Sequence, residues 1–490
     1  MNDALLVIDE GTSSTRAVLV DADGAFRPVA QRAIETHFPQ PGWVEQDAEE
    51  IWRLTLEVAR QAVAGQAQRV RAIGITNQRE TIVAWDRETG RALAPAIVWQ
   101  DRRTAAACDR LRAAGEEAAL QARSGLLLDP YFSATKIRWM LDHVAAVRDA
   151  GDRLALGTID SWLVFKLSGG AHVTDATNAS RTALMELCGG WDDGLCDLFG
   201  VPRRALPKIV DCAGPIAISD PDMLGRAIPI CGMAGDQQAA AIGQSCLTAG
   251  TTKATYGTGA FILTHAGETP PVSAHRLLAT VAWQVAGERR YALEGSLFVA
   301  GRMIQWMRDH LGLIASSDEC TRLASSITSS GGVQIVPAFT GLGAPHWQAD
   351  ARAAIFGLTL GTGKAELVRA ALEAVANQSA ELQRAFAADG VIWSTLRIDG
   401  GMAANDWLAQ DLANLLGIPV ERPQNVECTI KGAAALAAFG CGLYPTLPAA
   451  AEAMRGGVQC FEPSLDPADR DDRVASWDRA VAAVVAMGKG

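Results

Sequence analysis

One carboxylate, Asp236, stands in the middle of CGMAGDQQAAAIGQ (residues 231–244), a stretch made almost entirely of small residues. Removing a carboxylate from water costs several kcal/mol unless it is paired or faces a polar cavity. Two uses fit Asp236. It can cap the helix expected over QQAAAIGQ by accepting its free N–H groups. It can also take the proton from a hydroxyl that attacks phosphorus, where most of the remaining catalysis is alignment and charge neutralisation. The residues alone leave both open.

Other stretches suit phosphate and polyol chemistry. In DEGTSSTR (9–16) a glycine turn is followed by Thr12, Ser13, Ser14 and Thr15, whose hydroxyls and amides can cradle phosphate oxygens. Asp9, ending an apolar run, can face a hydrated Mg²⁺, which takes one or two carboxylates and keeps its waters. A second Gly-Thr turn, YGTGAF (256–261), could clamp a polyphosphate from the other side. In IDGGMAANDW (398–407) a double glycine lets backbone approach a flat ligand such as adenosine. Arg79 and Glu80 in TNQRE supply donor and acceptor together, as a polyol requires, or form a structural ion pair. Trp99 and Tyr131 can wall a small-molecule pocket or pack in a core. The common nucleotide loops are absent. GTGKA (361–365) lacks the first glycine and the Ser/Thr of a phosphate loop, and no GxGxxG or protein-kinase motif set occurs.

Alternating strands and helices must position these groups. ALLVID and RAVLVD read as a hairpin, and Asp47 opens a helix with Ile51, Leu54, Val58 and Ala62 on one face. RVRAIGITNQ and TIVAWD read as strands. The second half repeats this pattern in TKATYGTGAFILTH and TLRIDGGMAANDWLAQDLANLLGIPVE. The rhythm predicts two similar α/β domains, 1–245 and 246–490, around a cleft that closes on its ligand.

Composition narrows the classes. The chain has 490 residues, enough for two or more domains. Its net charge of −11 argues against nucleic acid as a partner. The ten cysteines include no CxxC pair and suit buried thiols in a reducing cytosol. The N-terminus does not read as a signal peptide, and no apolar stretch reaches the length of about 20 residues needed to span a bilayer.

Taken in order, these stretches resemble the FGGY carbohydrate kinases, and within them the glycerol kinases. The resemblance adds PGWVEQD (41–47), AIVWQ (96–100), DPYFSATK (129–136), VTDATNASRT (173–182), ALEGSLFVAG (292–301) and VPAFTGLGAPHW (336–347). It implies two actin-like (ribonuclease H-like) domains with the active site between them, residues 1–245 binding substrate and 246–490 nucleotide. The activity implied is ATP-dependent phosphorylation of glycerol to sn-glycerol 3-phosphate with Mg²⁺. Another short polyol such as erythritol, or a non-catalytic nucleotide- or ligand-binding role, are the alternatives. The resemblance further implies glycerol contacts from Arg79, Glu80, Tyr131, Asp236 and Gln237, with Trp99 and Phe261 on the carbon skeleton. Thr12, Ser13, Ser14, Arg16 and Thr258 would meet the ATP phosphates. Gly301, Gln305, Gly401 and Asn405 would line the nucleotide, Asp9 would hold Mg²⁺, and Asp236 would be the base. A cytoplasmic homo-oligomer, dimer or tetramer, without membrane insertion, is also implied. Glu10 stands where Gln is usual, Ile430 and Lys431 depart from TALGAA, and His346 replaces a common Tyr. Residues 213–229 lack the Gly-Gly-Lys-Gly-Gly-like effector loop of enteric members.

Overall fold

The computed structural model describes residues 3–26, 30–348 and 350–487. The first expected hairpin forms from strands Ala4–Glu10 and Ser14–Asp21, with Asp9 opposite Arg16 and Glu10 opposite Thr15. Val70–Asn77 lies parallel to the first strand, and Pro229–Gly235 parallel to Val70–Asn77. The register aligns Glu10 with Asn77, and Asn77 with Gly235. Three strands therefore end along one edge, and the helix Asp236–Gly243 begins there.

The second half repeats the arrangement. Its hairpin is Thr251–Tyr256 with Ala260–Gly267. Thr395–Asp399 lies parallel to the first of these strands, Val420–Pro423 lies parallel to Thr395–Asp399, and the helix Cys428–Gly440 follows. The described strands of both halves join in one thirteen-stranded sheet, meeting where Ala213–Ile218 lies beside Leu278–Val285.

Side chains on a strand alternate between faces. Leu6 and Ile8 pack with Ile51 and Val58 of the helix Ala48–Val63. Leu5 and Val7 pack on the other face with Ala433, Ala434 and Ala437 of the helix Cys428–Gly440. Both faces are covered, which is why the strand reads as an unbroken apolar run. The same alternation sends Asp9 and Glu10 in opposite directions. At the expected helix start, Asp47 Oδ1 accepts from the amides of Glu49 and Glu50 at 2.9 and 3.4 Å.

The small residues allow close approach. A Cβ on Gly432 would lie 1.7 Å from the carbonyl oxygen of Ala239, and one on Gly243 would lie 2.0 Å from that of Cys428. The helix after each half's last parallel strand thus presses directly on its counterpart. A Cβ on Gly74 or Gly232 would also meet the backbone of the helix Cys428–Gly440, at 2.4 Å in each case. The last helix of the second-half repeat therefore covers the first half's sheet. All ten cysteines are unpaired. Among the described residues no helix is long and apolar enough to cross a membrane.

Candidate active site

Asp236 is the first residue of its helix, following Gly235 as the cap residue. Its Oδ1 accepts from the amide of Gln237 at 2.7 Å and lies 3.3 Å from Arg79 Nε. Among the described residues nothing donates to Oδ2. The carboxylate thus has one oxygen anchored at the helix N-terminus and one available to a ligand. Its side chain is about one-third exposed (34%), unlike that of the buried Arg79.

The backbone beneath it is fixed by VTDATNASRT. Gly235 N–H donates to Thr177 Oγ1 at 2.9 Å, and Thr177 in turn donates to Asp175. Asn178 exchanges amide hydrogen bonds with Asn77 at 3.0 Å in each direction. Thr174 donates to Asp160 at 2.6 Å. Burial, with Asp175 close by, pushes Asp160 up to about 7.

Arg79 and Glu80 do not form a simple pair. Arg79 makes a two-pronged contact with Glu294, at 2.6 and 3.1 Å, and is 3.9 Å from Glu80. Glu80 is held instead by Arg181 Nε at 2.7 Å, and Arg181 also reaches Glu294 at 3.0 Å. Two buried arginines and two buried glutamates thus interlock, the geometry in which a buried charge is tolerated. Burial works against the Arg79 charge, but Glu294, Glu80 and Asp236 hold its pKa well above the ordinary value. Burial raises Glu294, and the two arginines overcome it, bringing its carboxyl down to about 2. Glu80 sits at φ 62°, a left-handed conformation rare for a residue with a Cβ. Gln238, given no contact by the sequence, accepts from Arg79 at 3.3 Å and donates to Val281 O at 3.2 Å.

An aromatic wall stands beside this cluster. The Trp99 ring lies 5.6 Å from Tyr131 and 6.3 Å from Phe261, edge to face in both pairs. All three rings are half-buried, so they present apolar surface rather than fill a core. Trp99 Nε1 donates to Thr12 Oγ1 at 2.9 Å, tying the wall to the first Gly-Thr turn. Arg181 lies over Tyr131 at 5.5 Å.

In the first turn, Gln46 donates to Thr12 O at 2.6 Å, Ile34 N–H to Ser13 O at 3.0 Å, and Gln31 to Ser14 Oγ at 3.0 Å. Arg16 pairs with Asp9 and, at 2.7 Å, with Glu427 of the second half. Burial raises Asp9, Arg16 opposes it, and Asp236 and Glu427 add to the rise. Asp9 Oδ2 is taken by Arg16, while no described group donates to Oδ1. No group of three or more His, Cys, Asp or Glu among the described residues could hold a metal ion. One free carboxylate oxygen fits a metal that keeps its waters and binds phosphate, rather than one caged by protein.

The second turn supports a helix. The amides of Ala300 and Arg302 donate to Thr258 O at 2.9 and 3.0 Å, and Gly301 N–H to Gly257 O at 2.9 Å. The helix Gly301–Asp309 therefore starts against Thr258, placing its positive dipole end there. Gln305 lies one turn further along and accepts from Arg302 at 3.3 Å. Gly400 has φ 87°, and a Cβ there would fall 2.5 Å from Tyr256 O, so only glycine brings this turn against the hairpin. Gly401 faces open space, and Asn405 caps the helix Asp406–Leu416 through the amide of Leu408 at 3.2 Å.

Sequence reasoning assigned no role to Arg181, Glu294, Lys253 or Glu427. The signal available was a charge well inside a strand, Lys253 in TTKATY and Glu294 in YALEGSL; both are buried. Lys431 donates at 2.7 Å to Arg455 O, the last residue of the helix Leu447–Arg455, where a cation suits the helix dipole. His346 pairs with Glu381 at 2.6 Å.

Comparison with known proteins agrees with this geometry. Residues 4–243 match the N-terminal domain of the FGGY family of carbohydrate kinases, and residues 252–441 its C-terminal domain. A glycerol kinase of Methylobacterium nodulans is 51% identical over 497 residues, covering 98% of each chain. One of Dechloromonas aromatica is 51% identical over 487 residues, covering 97% of this chain and 96% of its own. The solved structure of Plasmodium falciparum glycerol kinase with ADP has a TM-score of 0.95 at 32% identity, covering 99% of this chain and 98% of its own. A xylulose kinase from Rhodospirillum rubrum shares the fold, with a TM-score of 0.90 at 24% identity over 99% of this chain and 100% of its own. The architecture is the two-domain actin-like fold. Matched across both halves, the chain belongs to the FGGY family of carbohydrate kinases.

Proposed function

We propose that this kinase transfers the γ-phosphoryl group of ATP to glycerol, giving sn-glycerol 3-phosphate and ADP. The observation that carries the reading is the half-anchored Asp236 carboxylate, set beside the Arg79–Glu294–Arg181–Glu80 cluster and the aromatic wall. Relatives named glycerol kinase, about half identical over nearly the whole chain, support it.

Glycerol's hydroxyls each donate and accept, and Arg79, Glu80, Asp236 and Gln237 supply the complementary groups. Trp99, Tyr131 and Phe261 cover its carbon skeleton. Asp236 Oδ2 accepts the proton of the attacking hydroxyl as its oxygen bonds to the γ-phosphorus. The bond from phosphorus to the ADP oxygen breaks in the same displacement. Arg79 keeps Asp236 oriented and excludes water from its anchored side. Thr12, Ser13, Ser14, Arg16 and Thr258 bind the phosphates, and Gly301, Gln305, Gly401 and Asn405 line the nucleotide. Asp9 and the ATP phosphates would hold Mg²⁺, which when bound neutralises charge on the β- and γ-phosphates. On this reading residues 1–245 hold chiefly the polyol and residues 246–490 chiefly the nucleotide. The same reading gives a cytoplasmic dimer or tetramer. Light scattering after size exclusion tests the assembly.

The test is a coupled ADP-release assay over a polyol panel, with the Asp236→Asn variant alongside. Glycerol should be turned over with the highest kcat/KM. The variant should lose at least about a hundredfold in kcat, with KM for glycerol changed less than about tenfold. Preference for a four-carbon polyol overturns the specificity, and near-normal turnover by the variant overturns the base.

A further inference from the structure

The side chain of Lys253 lies in the middle of a second-half strand, fully buried, and reaches a first-half helix. Its ammonium donates to Gln237 Oε1. It makes no ion pair among the described residues; burial, with Arg79, lowers its pKa, and Asp399, Asp236 and Glu294 only partly oppose that. An ammonium has three donors and no acceptor, so whatever faces it must accept. An amide has one end that accepts and one that donates. With Oε1 committed to Lys253, the NH₂ end of Gln237 turns away, and it donates to no described group.

We infer that Lys253 is a positioning residue that fixes the side-chain amide of Gln237 as a donor to the substrate. A glycerol hydroxyl meeting Gln237 must then accept from it, which leaves that hydroxyl's own proton for an acceptor. Asp236 Oδ2, one residue away, is an acceptor with no other partner. Gln237 and Asp236 therefore read one hydroxyl from both sides, as acceptor and as donor. An ether or a deoxy analogue cannot satisfy both. Because Lys253 comes from the second half, the substrate floor in the first half is completed by the other half. This inference deepens the glycerol reading and rests on it.

The decisive substitution is Gln237→Glu, nearly identical in shape but unable to donate. It should raise KM for glycerol at least about tenfold, as much as Gln237→Met does, with KM for ATP changed less than about threefold. Lys253→Met should give the same split, and Lys253→Arg should recover part of the loss. If Gln237→Glu keeps KM for glycerol within about threefold of the parent, the amide is an acceptor and the inference fails. It also fails if Lys253→Met raises both KM values equally. Melting supplies a readout independent of substrate. Gln237→Glu should raise Tm when Lys253 is present and lower it in the Lys253→Met background. Lack of that reversal refutes the contact. Turnover of no glycerol by the parent, with the reversal intact, refutes the functional reading and leaves the Lys253–Gln237 contact standing.

Discussion

At the scale of single residues, two carboxyls adjacent in sequence do opposite things because a strand alternates its faces. Asp9 points toward Arg16 and Glu427, with charge on hand to balance it. Glu10 points to the helix Ala48–Val63, where Thr55 donates to it at 2.7 Å and its other oxygen has no partner. Burial pushes Glu10 up to about 8; Thr55 and Thr15 oppose the rise and Asp9 adds to it. The folded protein therefore binds this proton more tightly than the unfolded chain does. By linkage, Glu10 lowers stability progressively as pH rises from the ordinary carboxylate pKa toward about 8, and the loss then levels off. Glu10→Gln keeps the shape and removes the titration. Its Tm should exceed the parent's by an amount that grows between about pH 5 and pH 8 and stays constant above. Parallel melts across that range check it; a difference independent of pH contradicts a buried neutral Glu10.

At the scale of elements, two helices rich in Gly and Ala cross at backbone contact. Packed interiors do not absorb even one methyl group freely. Gly432→Ala would place a Cβ 1.7 Å from Ala239 O, inside the backbone of the helix that carries Asp236. Neither backbone can yield without moving that helix. The substitution should cost stability at or above the upper end of the usual overpacking range, about 1–3 kcal/mol, and should lower kcat as well. Gly361→Ala is the control, since its Cβ would meet only Thr359 Oγ1 at 3.8 Å. Thermal melts and steady-state assays of the pair decide it. Equal stability of the two variants would contradict the close crossing.

At the scale of the whole molecule, the two repeats are bound into one structure. The helix Cys428–Gly440 belongs in sequence to the second repeat, yet it covers the apolar face formed by Leu5, Val7, Val18 and Ala72 in the first. Arg16–Glu427, Arg79–Glu294 and Lys253–Gln237 also cross between the halves. The halves proposed for polyol and nucleotide are therefore expected to depend on each other for folding. Residues 1–245 expressed alone should show no cooperative melting transition and should aggregate through that uncovered face. A fragment that is monomeric and melts sharply would overturn this prediction.

The sequence by itself determined the local elements and which side chains were candidates for the site. Strand and helix periods, the Asp47 cap and the Gly-Thr turns all depend on neighbours within a few residues, so they could be read directly. Asp236, Arg79, Glu80, Trp99 and Tyr131 could be named as candidates because their chemistry belongs to their side chains, whereas Phe261 and the choice among uses came from the family resemblance. Which charge neutralises which could not be read. Arg79 stands next to Glu80 in sequence but pairs with Glu294, and Glu80 pairs with Arg181, 101 residues away. Partners of this kind are chosen by where strand ends converge, and that depends on the register of parallel strands far apart in the chain. The same convergence frees one oxygen of Asp236 and turns the amide of Gln237. Only the tertiary structure decided those two features, because each depends on a contact between groups that the sequence holds apart.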